Sequence, residues 1–480
     1  MLKKSKALDT LKRVVSSLLA VAVVVGPAFA DETAALTIKS IPNVSVRLYG
    51  FVENDLINDS VQMNSQKVLE ELDNPIVPKA SSYAGQHHQT VMSIRNSRLG
   101  FDVTLPKTEN GLATEGIFEL DFLGNQAANT TPGQTAGTQT ERDFFNNPTV
   151  RVRHAYVNVT YNDMWNAKIG QTWSLLGWQP YYFPSEAIVQ PAVGQLYRRF
   201  AQMRVTNTQN LMGGDWTLES AIDAAKPAEL GSGLTEEHAG IRLASTKWKA
   251  ASGVGSSTPM VGASMALSGA LIPVRTSGQP LNGGATADQT PNSNGTVVAV
   301  DALIPIIPSS DGKNPSNTLS LVGEYSNGRG YGGLELAGAT GNLTTPADGT
   351  LGNTTTTPST GVGAIDSGLA SVSKGGNLDL IHIQTFRTNL TYVWPGAHWA
   401  NSAGYADTQI LNMADYVAAA SNIDRYQYFY GNVMFLPLTW LRFALEWAQI
   451  KDTYTNLGTG VTNDRYAYDN RVQFTTYISF

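Results

Sequence analysis

Arginine and acidic side chains recur on the polar face of segments in which polar and apolar residues alternate. Guanidinium groups that line a water-filled passage raise the local concentration of anions, and carboxylates do the same for cations. The same residues can instead pair with one another as a structural ladder along a wall, so we expect both roles to occur. The candidates for lining a passage are Arg47, Arg98, Arg151, Arg153, Arg199, Arg204, Arg242, Arg442, Arg471, Glu53, Glu115 and Glu119.

Residues for bond-making chemistry are sparse in this sequence. Its six histidines are scattered without an HExxH or comparable ligand spacing, and it has no cysteine. A metal site is therefore not predicted. Neither a G-x-S-x-G nucleophile motif nor a phosphate-binding glycine loop occurs. The sequence predicts no catalytic residue, no metal and no cofactor.

The elements that must position the charged residues are β-strands. In residues 471–480, apolar side chains at 472, 474, 478 and 480 alternate with polar ones, and residues 98–105 and 115–122 show the same period. A period of two is typical of strands with one apolar and one polar face. Strands of soluble sandwiches also alternate but are usually about 5 or 6 residues long, whereas crossing a bilayer takes about 9–11. The segments here approach the longer value.

About 16 strand candidates are joined by connections that alternate between short and long. The short ones are 106–111, 161–163, 208–212, 394–396 and 437–438, and the long ones include 58–89, 124–147, 174–197, 273–295, 328–377 and 453–468. Short periplasmic turns, long extracellular loops and an even strand number are typical of a bacterial outer-membrane barrel. The predicted fold class is all-β, a transmembrane antiparallel barrel of about 16 strands. At that size a water-filled lumen remains.

The two ends of the chain suggest export and insertion. Residues 1–30 have a basic start, an apolar stretch at 14–25 and a small-x-small site at Ala28 and Ala30, which indicates a cleaved secretory signal before a barrel domain at 31–480. The apolar stretch is shorter than the roughly 20 residues of a spanning helix. Removing five basic residues and one acidic residue changes the formal net charge from −6 to −10, which argues against a nucleic-acid partner.

The last strand ends on Phe480 with apolar residues at alternate positions before it. This pattern resembles the C-terminal signal that barrel-assembly machinery recognises. The lipid bilayer, lipopolysaccharide and that machinery are therefore the expected partners, and the outer membrane of a Gram-negative bacterium is the expected location.

Several blocks of sequence resemble the DcaP-like outer-membrane porins, which belong to the Gram-negative porin superfamily. The blocks are residues 145–157, 168–174, 48–52 and 97–101. The resemblance implies a homotrimeric channel of 16 strands that favours small organic acids. In porins generally the third long connection folds inwards, and here it spans residues 174–197.

That third connection is rich in aromatic residues and has few of the Thr, Asn and Gly residues of the other loops. We predict that it narrows the passage, through Trp178, Tyr181, Tyr182 and Phe183. A hydrophobic patch at a subunit interface and an aromatic girdle at the membrane surface are the alternatives. Around residues 151–159 the alternation slips, so a bulge is expected there. If Arg151 and Arg153 face inwards, His154 faces outwards, towards a subunit interface.

These observations predict a porin through which small hydrophilic solutes diffuse passively, with a preference for small organic anions such as dicarboxylates. A cation- or sugar-preferring porin is one alternative. A non-conducting barrel that serves as an adhesin or structural anchor is another. An anchor would fill its lumen with apolar residues or a helix, and the sequence has no helical segment long enough for that.

Overall fold

The structure is a computed structural model, and it describes residues 44–63, 77–124, 150–187, 194–226, 234–253, 260–275, 292–332, 370–372, 378–415, 423–454 and 465–480. The predicted secretory signal at 1–30 lies outside these residues. Within the described ranges, no helix is both long and apolar enough to cross a membrane.

Long antiparallel strands make up nearly all of the regular structure. Their bounds are β1 Ser45–Asp59, β2 Gln89–Ser93, β3 Arg98–Leu105, β4 Leu112–Asp121, β5 Arg151–Tyr161, β6 Trp165–Trp173, β7 Arg199–Leu211, β8 Trp216–Lys226, β9 Glu236–Ala251, β10 Met260–Arg275, β11 Asn292–Ile307, β12 Thr318–Arg329, β13 Ala370–Val372, β14 Leu378–Leu380, β15 His382–Val393, β16 Trp399–Ile410, β17 Ile423–Leu438, β18 Leu441–Tyr454 and β19 Tyr466–Ser479. The short pair β13 and β14 forms a separate two-stranded sheet.

The other strands close into one barrel. From β3 to β12 and from β15 to β19, each strand pairs with the next one in the chain, and β12 pairs with β15. Strand β19 returns to pair with β1 from Phe51↔Ser479 to Asp59↔Arg471. Strands β2 and β3 share one place in the wall because β2 pairs with the second half of β1 and β3 with the first half. The wall therefore has 16 places. The predicted closed antiparallel barrel of about 16 strands is confirmed.

Turn chemistry explains the short connections. Between β5 and β6, Asn162 and Asp163 have φ values of 51° and 56°, the backbone that a tight hairpin turn requires and that Asn and Asp tolerate. Strands β17 and β18 are separated only by residues 439–440. Because neighbouring strands are antiparallel, the strands that flank the long connections 60–88 and 330–381 meet those connections at the opposite end of the barrel.

The expected bulge lies in β5. Glu119 of β4 is opposite His154, whereas Leu120 is opposite Val152, so Arg153 is the extra residue. One extra residue reverses the alternation, and Arg153 and His154 are both buried. His154 packs against Trp173 at 5.2 Å between ring centroids. The prediction that His154 faces outwards was wrong, because Arg153 is the bulged residue and the side chain of His154 lies on the same face as that of Arg153.

Candidate functional site in the barrel interior

Polar side chains occupy the inner face of the wall. On β19, Arg471, Gln473 and Thr475 are buried, whereas Ile478 is exposed on the outer face. Apolar residues also dominate the outside of β10, where Met265 and Leu271 are exposed. This distribution is the reverse of a soluble protein, and it gives a polar interior inside an apolar surface.

The third loop, residues 174–197, begins against the wall formed by β9 and β10. Gly177, with φ 74°, donates its backbone N–H to Ser268 Oγ at 2.9 Å. The indole N–H of Trp178 donates to the Leu267 carbonyl at 3.3 Å. A Cβ at Gly240 would lie 2.7 Å from the Trp178 Nε1 atom, so only glycine lets the indole come this close. The first arm is thus fixed by backbone contacts.

The middle of the third loop contacts the opposite wall. The Glu186 carboxylate forms a buried ion pair with Arg387 of β15. Ala187 donates its N–H to Glu446 at 2.8 Å and accepts a hydrogen bond from Arg442 at 2.9 Å, both on β18. Further hydrogen bonds join Ser185 to Asn389, Ser402 and Asn432. The loop therefore crosses the interior of the barrel.

The loop returns to the first wall past β12. Leu196 donates its N–H to Glu324 Oε1 at 2.8 Å, and β7 begins at Arg199. Of the predicted aromatic residues, Tyr182 is buried and Phe183 packs between Trp173 and Tyr197, at 5.1 and 5.5 Å between ring centroids.

An arginine cluster lies where the third loop rejoins the wall; it consists of Arg98, Arg151, Arg153 and Arg199 with the carboxylates Glu119 and Asp121. Arg153 contacts both carboxylates, at 2.7 Å to Glu119 and 2.9 Å to Asp121, and Arg151 lies 2.7 Å from Asp121. Four guanidinium groups against two carboxylates leave a formal charge of +2. Arg199 lies 4.8 Å from the centre of the Trp173 ring, a cation–π distance.

The Tyr197 hydroxyl reports on the charge of this cluster. Arg153 and Arg199 donate to it at 3.4 and 3.2 Å. Burial alone would raise the pKa of Tyr197, but the guanidinium groups of Arg153, Arg199, Arg98 and Arg151 outweigh burial and hold this pKa below its ordinary value. A buried phenol with a lowered pKa indicates a positive potential.

A cavity of about 630 Å³ lies between the first arm of the third loop and the strands β1 and β3 to β8, towards the end of the barrel with short turns. Its charged lining has both signs: Arg47, Lys168, Arg204, Asp102, Glu115, Glu119, Asp163 and Glu219. Tyr181 closes one side and is 42% exposed, and the Arg242 guanidinium lies 3.9 Å from the centre of its ring. The cavity is wide enough for small organic molecules.

Most of the other predicted lining residues have partners on the wall. Arg47 pairs with Asp102 at 2.9 Å, Arg204 with Asp223 at 3.2 Å, Arg242 with Glu219 at 2.6 Å and Arg471 with Asp59 at 2.8 Å. Glu115 accepts a hydrogen bond from Asn158 at 3.3 Å. Glu53 is buried beside Ser97, and Arg442 lies 4.7 Å from the centre of the Tyr477 ring. The structure brings Arg98, Arg151, Arg153, Arg199 and Glu119 together and leaves the rest distributed along the wall.

Comparisons place this arrangement among known folds. No family model and no curated protein sequence matches the chain. The chain is similar to the outer membrane channel DcaP of Acinetobacter baumannii, with a TM-score of 0.60 and 17% identity over 93% of this chain and 100% of that one. The chain has the fold of DcaP. The resemblance predicted from the sequence is confirmed at this level.

Two other solved structures share less with the chain. An anion-selective porin from Comamonas acidovorans has a TM-score of 0.46 and 11% identity, over 91% of this chain and 100% of that one. The trimer form of in-vitro folded OmpT, an outer membrane protein of Vibrio cholerae, has a TM-score of 0.47 and 12% identity, over 91% and 99%.

Within this DcaP fold, sequence reasoning missed three interior residues. Arg387, Asp301 and Glu324 are all buried on the inner face of β15, β11 and β12. Arg387 could have been found, because residues 383–393 alternate as clearly as the other strands. The contacts of Glu324 with the third loop could not, because they join residues 128 positions apart.

Proposed function

We propose that this protein is an outer-membrane porin through which small hydrophilic solutes diffuse passively. The single observation that carries the proposal is a closed barrel with a polar interior that the third loop crosses from one wall to the other. Such an interior remains hydrated in a barrel of this size. The DcaP fold and the apolar outer face support the same location and function.

The third loop is proposed to be the constriction. It is anchored on both walls by backbone hydrogen bonds and by the buried pair Glu186–Arg387. Because the loop is anchored on both walls, it stays in a fixed position while solutes pass, which a constriction that selects solutes requires. Trp178, Tyr181, Tyr182 and Phe183 give it bulk.

Small organic anions are the proposed preferred solutes. The surplus positive charge of the arginine cluster stands beside the returning arm of the third loop, and a fixed positive field at a narrow point concentrates anions. The cavity next to the cluster is lined by both positively and negatively charged side chains, so this cavity suits polar solutes in general. We therefore propose that the arginine cluster discriminates between solutes by charge. Structural ion pairs of the barrel wall are formed by Arg47, Arg204, Arg242 and Arg471.

Planar-bilayer recording tests this proposal. The reversal potential in a KCl gradient is expected to show anion selectivity in the wild type. Arg151→Gln and Arg199→Gln each remove one positive charge from the cluster and are expected to shift the reversal potential towards cations. The matched control is Arg329→Gln, because Arg329 is exposed on the outer face at the end of β12.

Three other results would each contradict one part of the proposal, namely the solute class, the role of the arginine cluster or the channel itself. Cation selectivity of the wild type would overturn the solute class and leave a cation- or sugar-preferring porin. Equal shifts from Arg151→Gln and Arg329→Gln would remove the cluster from selectivity. No conductance from a folded barrel would favour the adhesin or anchor.

The remaining features are proposed on the sequence and the fold together. The chain is exported by a signal within residues 1–30, inserted with Phe480 as the assembly signal, and works as a homotrimer in contact with lipopolysaccharide. Phe480 closes the wall by exchanging two backbone hydrogen bonds with Gly50, both at 3.0 Å. The mass of the purified protein in detergent tests the trimer.

A further inference from the structure

Two buried carboxyl groups meet beneath the third loop. Asp301 of β11 and Glu324 of β12 are directly opposite in the strand pairing and are 0% and 3% exposed. The two groups are within hydrogen-bonding reach of each other. Two ionised carboxylates so close together in a buried site repel strongly, so one of them must be neutralised.

Both arms of the third loop come together at this pair. Glu324 Oε1 accepts the Leu196 N–H at 2.8 Å, and a Cβ added to Gly177 would lie 3.2 Å from Glu324 Oε2. The next residue after Leu196 is Tyr197, which bonds to the arginine cluster. Any movement of the pair is therefore transmitted to the cluster through one peptide unit.

Several polar atoms at this place have no hydrogen-bond partner among the described residues. They are both carboxyl oxygens of Asp301, Glu324 Oε2, Ser264 Oγ and the Tyr182 hydroxyl. Tyr182 faces both Ser264 and Asp301, and both hydroxyl side chains are at most 4% exposed. A proton on one carboxyl gives Glu324 Oε2 a donor, and the two hydroxyl groups can donate to Asp301.

The basic groups around the pair already have other partners. Arg387 on β15 is directly opposite Glu324 in the strand pairing, and it forms its ion pair with Glu186 of the third loop. Arg387 therefore acts on Glu324 as well as on Glu186, so two carboxylates share one guanidinium group. Arg242 on β9 pairs with Glu219 and faces Tyr182. The other acidic groups that face the pair are the phenols of Tyr182, near Asp301, and Tyr331, near Glu324. Strand β10 places Ser264 beside Tyr182.

We propose that Asp301 and Glu324 share one proton and that this proton latches the third loop to the wall. While the proton is bound, the pair carries a single charge and Glu324 holds Leu196. When the proton leaves as the pH rises, two adjacent negative charges repel, the Leu196 contact is lost, and the returning arm moves together with Tyr197. The pore therefore changes conductance and selectivity with pH. This inference rests on the proposed porin function.

Asp301→Asn is the decisive variant. Its amide donates to Glu324 as the shared proton does, so the loop should stay latched and the pH-dependent step in conductance should vanish. Glu324→Ala removes the acceptor of Leu196, and its channel should behave at every pH as the wild type does at high pH. Recordings from about pH 5 to about pH 9 span the range in which a shared proton is lost. All are made in a Tyr197→Phe background, which removes the neighbouring titratable phenol.

A second measurement does not depend on conduction. Because the sequence has no cysteine, Leu196→Cys introduces a unique thiol, and its labelling is normalised at each pH to that of Met212→Cys in an exposed turn. Labelling should rise with pH in the otherwise unchanged chain and stay low with Asp301→Asn. A heat-dependent shift in gel mobility shows that each variant is folded.

The outcomes are distinguishable. A channel without conductance would end the porin proposal, while the labelling would still test the latch. If the conductance or the thiol labelling depends on pH in the same way with and without Asp301→Asn, the proposal that a shared proton latches the third loop is contradicted. If Ca²⁺ shifts the pH at which the conductance changes and a chelator restores it, the shared proton is contradicted, because a bound cation then neutralises the two carboxylates.

Discussion

At the scale of single residues, the Tyr197 hydroxyl sets the charge of the arginine cluster. Its pKa is held below the ordinary value because the four guanidinium groups outweigh burial. The hydroxyl therefore ionises at a lower pH than a free tyrosine, and the added negative charge reduces the surplus of the cluster from +2 to +1. We expect the proposed anion selectivity to fall as pH rises through that range.

The reversal potential measured against pH checks this expectation. An Asp301→Asn background is used, so that the third loop stays latched throughout. Tyr197→Phe in that background is expected to flatten the profile, since phenylalanine cannot ionise. A profile that is unchanged by Tyr197→Phe would mean that another group titrates.

The inner and outer faces of the strands could be predicted from the sequence for most residues but not for His154. Alternation placed Arg47, Arg204 and Arg471 on the inner face because each strand there is regular. Alternation gave the wrong face for His154, because one bulged residue exchanges the inner and outer faces for all residues that follow it in the strand. The slip in the pattern was visible, but its position depends on the pairing of Glu119 with His154, which a single strand does not reveal.

At the scale of elements, the buried pair Glu186–Arg387 holds the third loop on the far wall. The two side chains are 2% and 4% exposed. Removing one partner leaves an uncompensated buried charge, which typically costs about 3–5 kcal/mol. Arg387→Ala is therefore expected to detach the middle of the loop, whereas adding Glu186→Gln removes the orphaned charge and should restore part of the docking.

Thiol labelling measures this detachment. Ser185 is buried, so Ser185→Cys should be protected in the otherwise unchanged protein, exposed with Arg387→Ala, and less exposed in the double variant. Met212→Cys serves as the fully accessible control. Equal protection in all three would show that the ion pair does not hold the loop.

The sequence predicted the third loop as an inward-folding element through its aromatic composition and its resemblance to porins. It did not predict the anchors, because Glu186, Arg387 and Glu446 are ordinary charged residues in their own segments. Their roles arise when the barrel brings strands more than 200 positions away to the loop. Local pattern carries no information about such partners.

At the scale of the whole molecule, the fold depends on the seam between β1 and β19. A Cβ added to Gly50 would lie 2.3 Å from the Arg98 carbonyl oxygen and 3.0 Å from the Phe480 ring. Gly50→Val is therefore expected to prevent closure and to lower the folded fraction, measured by the heat-dependent mobility shift. Gly116→Val is the control, because nothing lies within 4 Å of its added Cβ. Similar losses from both would exclude a specific effect at the seam.

The strand pattern and the loop alternation were sufficient to predict this architecture, since the period of two extends over the full length of each strand. They did not reveal that β2 and β3 occupy one place in the wall. That division depends on residues 94–97 leaving the ladder while β1 continues unbroken.

The seam also fixes an order of events in time. Ser60 bonds to Asp469 across 409 positions of sequence, so the two edges cannot meet until the chain has been synthesised at least as far as Asp469. Until then both edge strands expose unpaired backbone groups that other chains could occupy. A barrel without β19 keeps both edges open, and open edges are the sites at which strands of other chains pair.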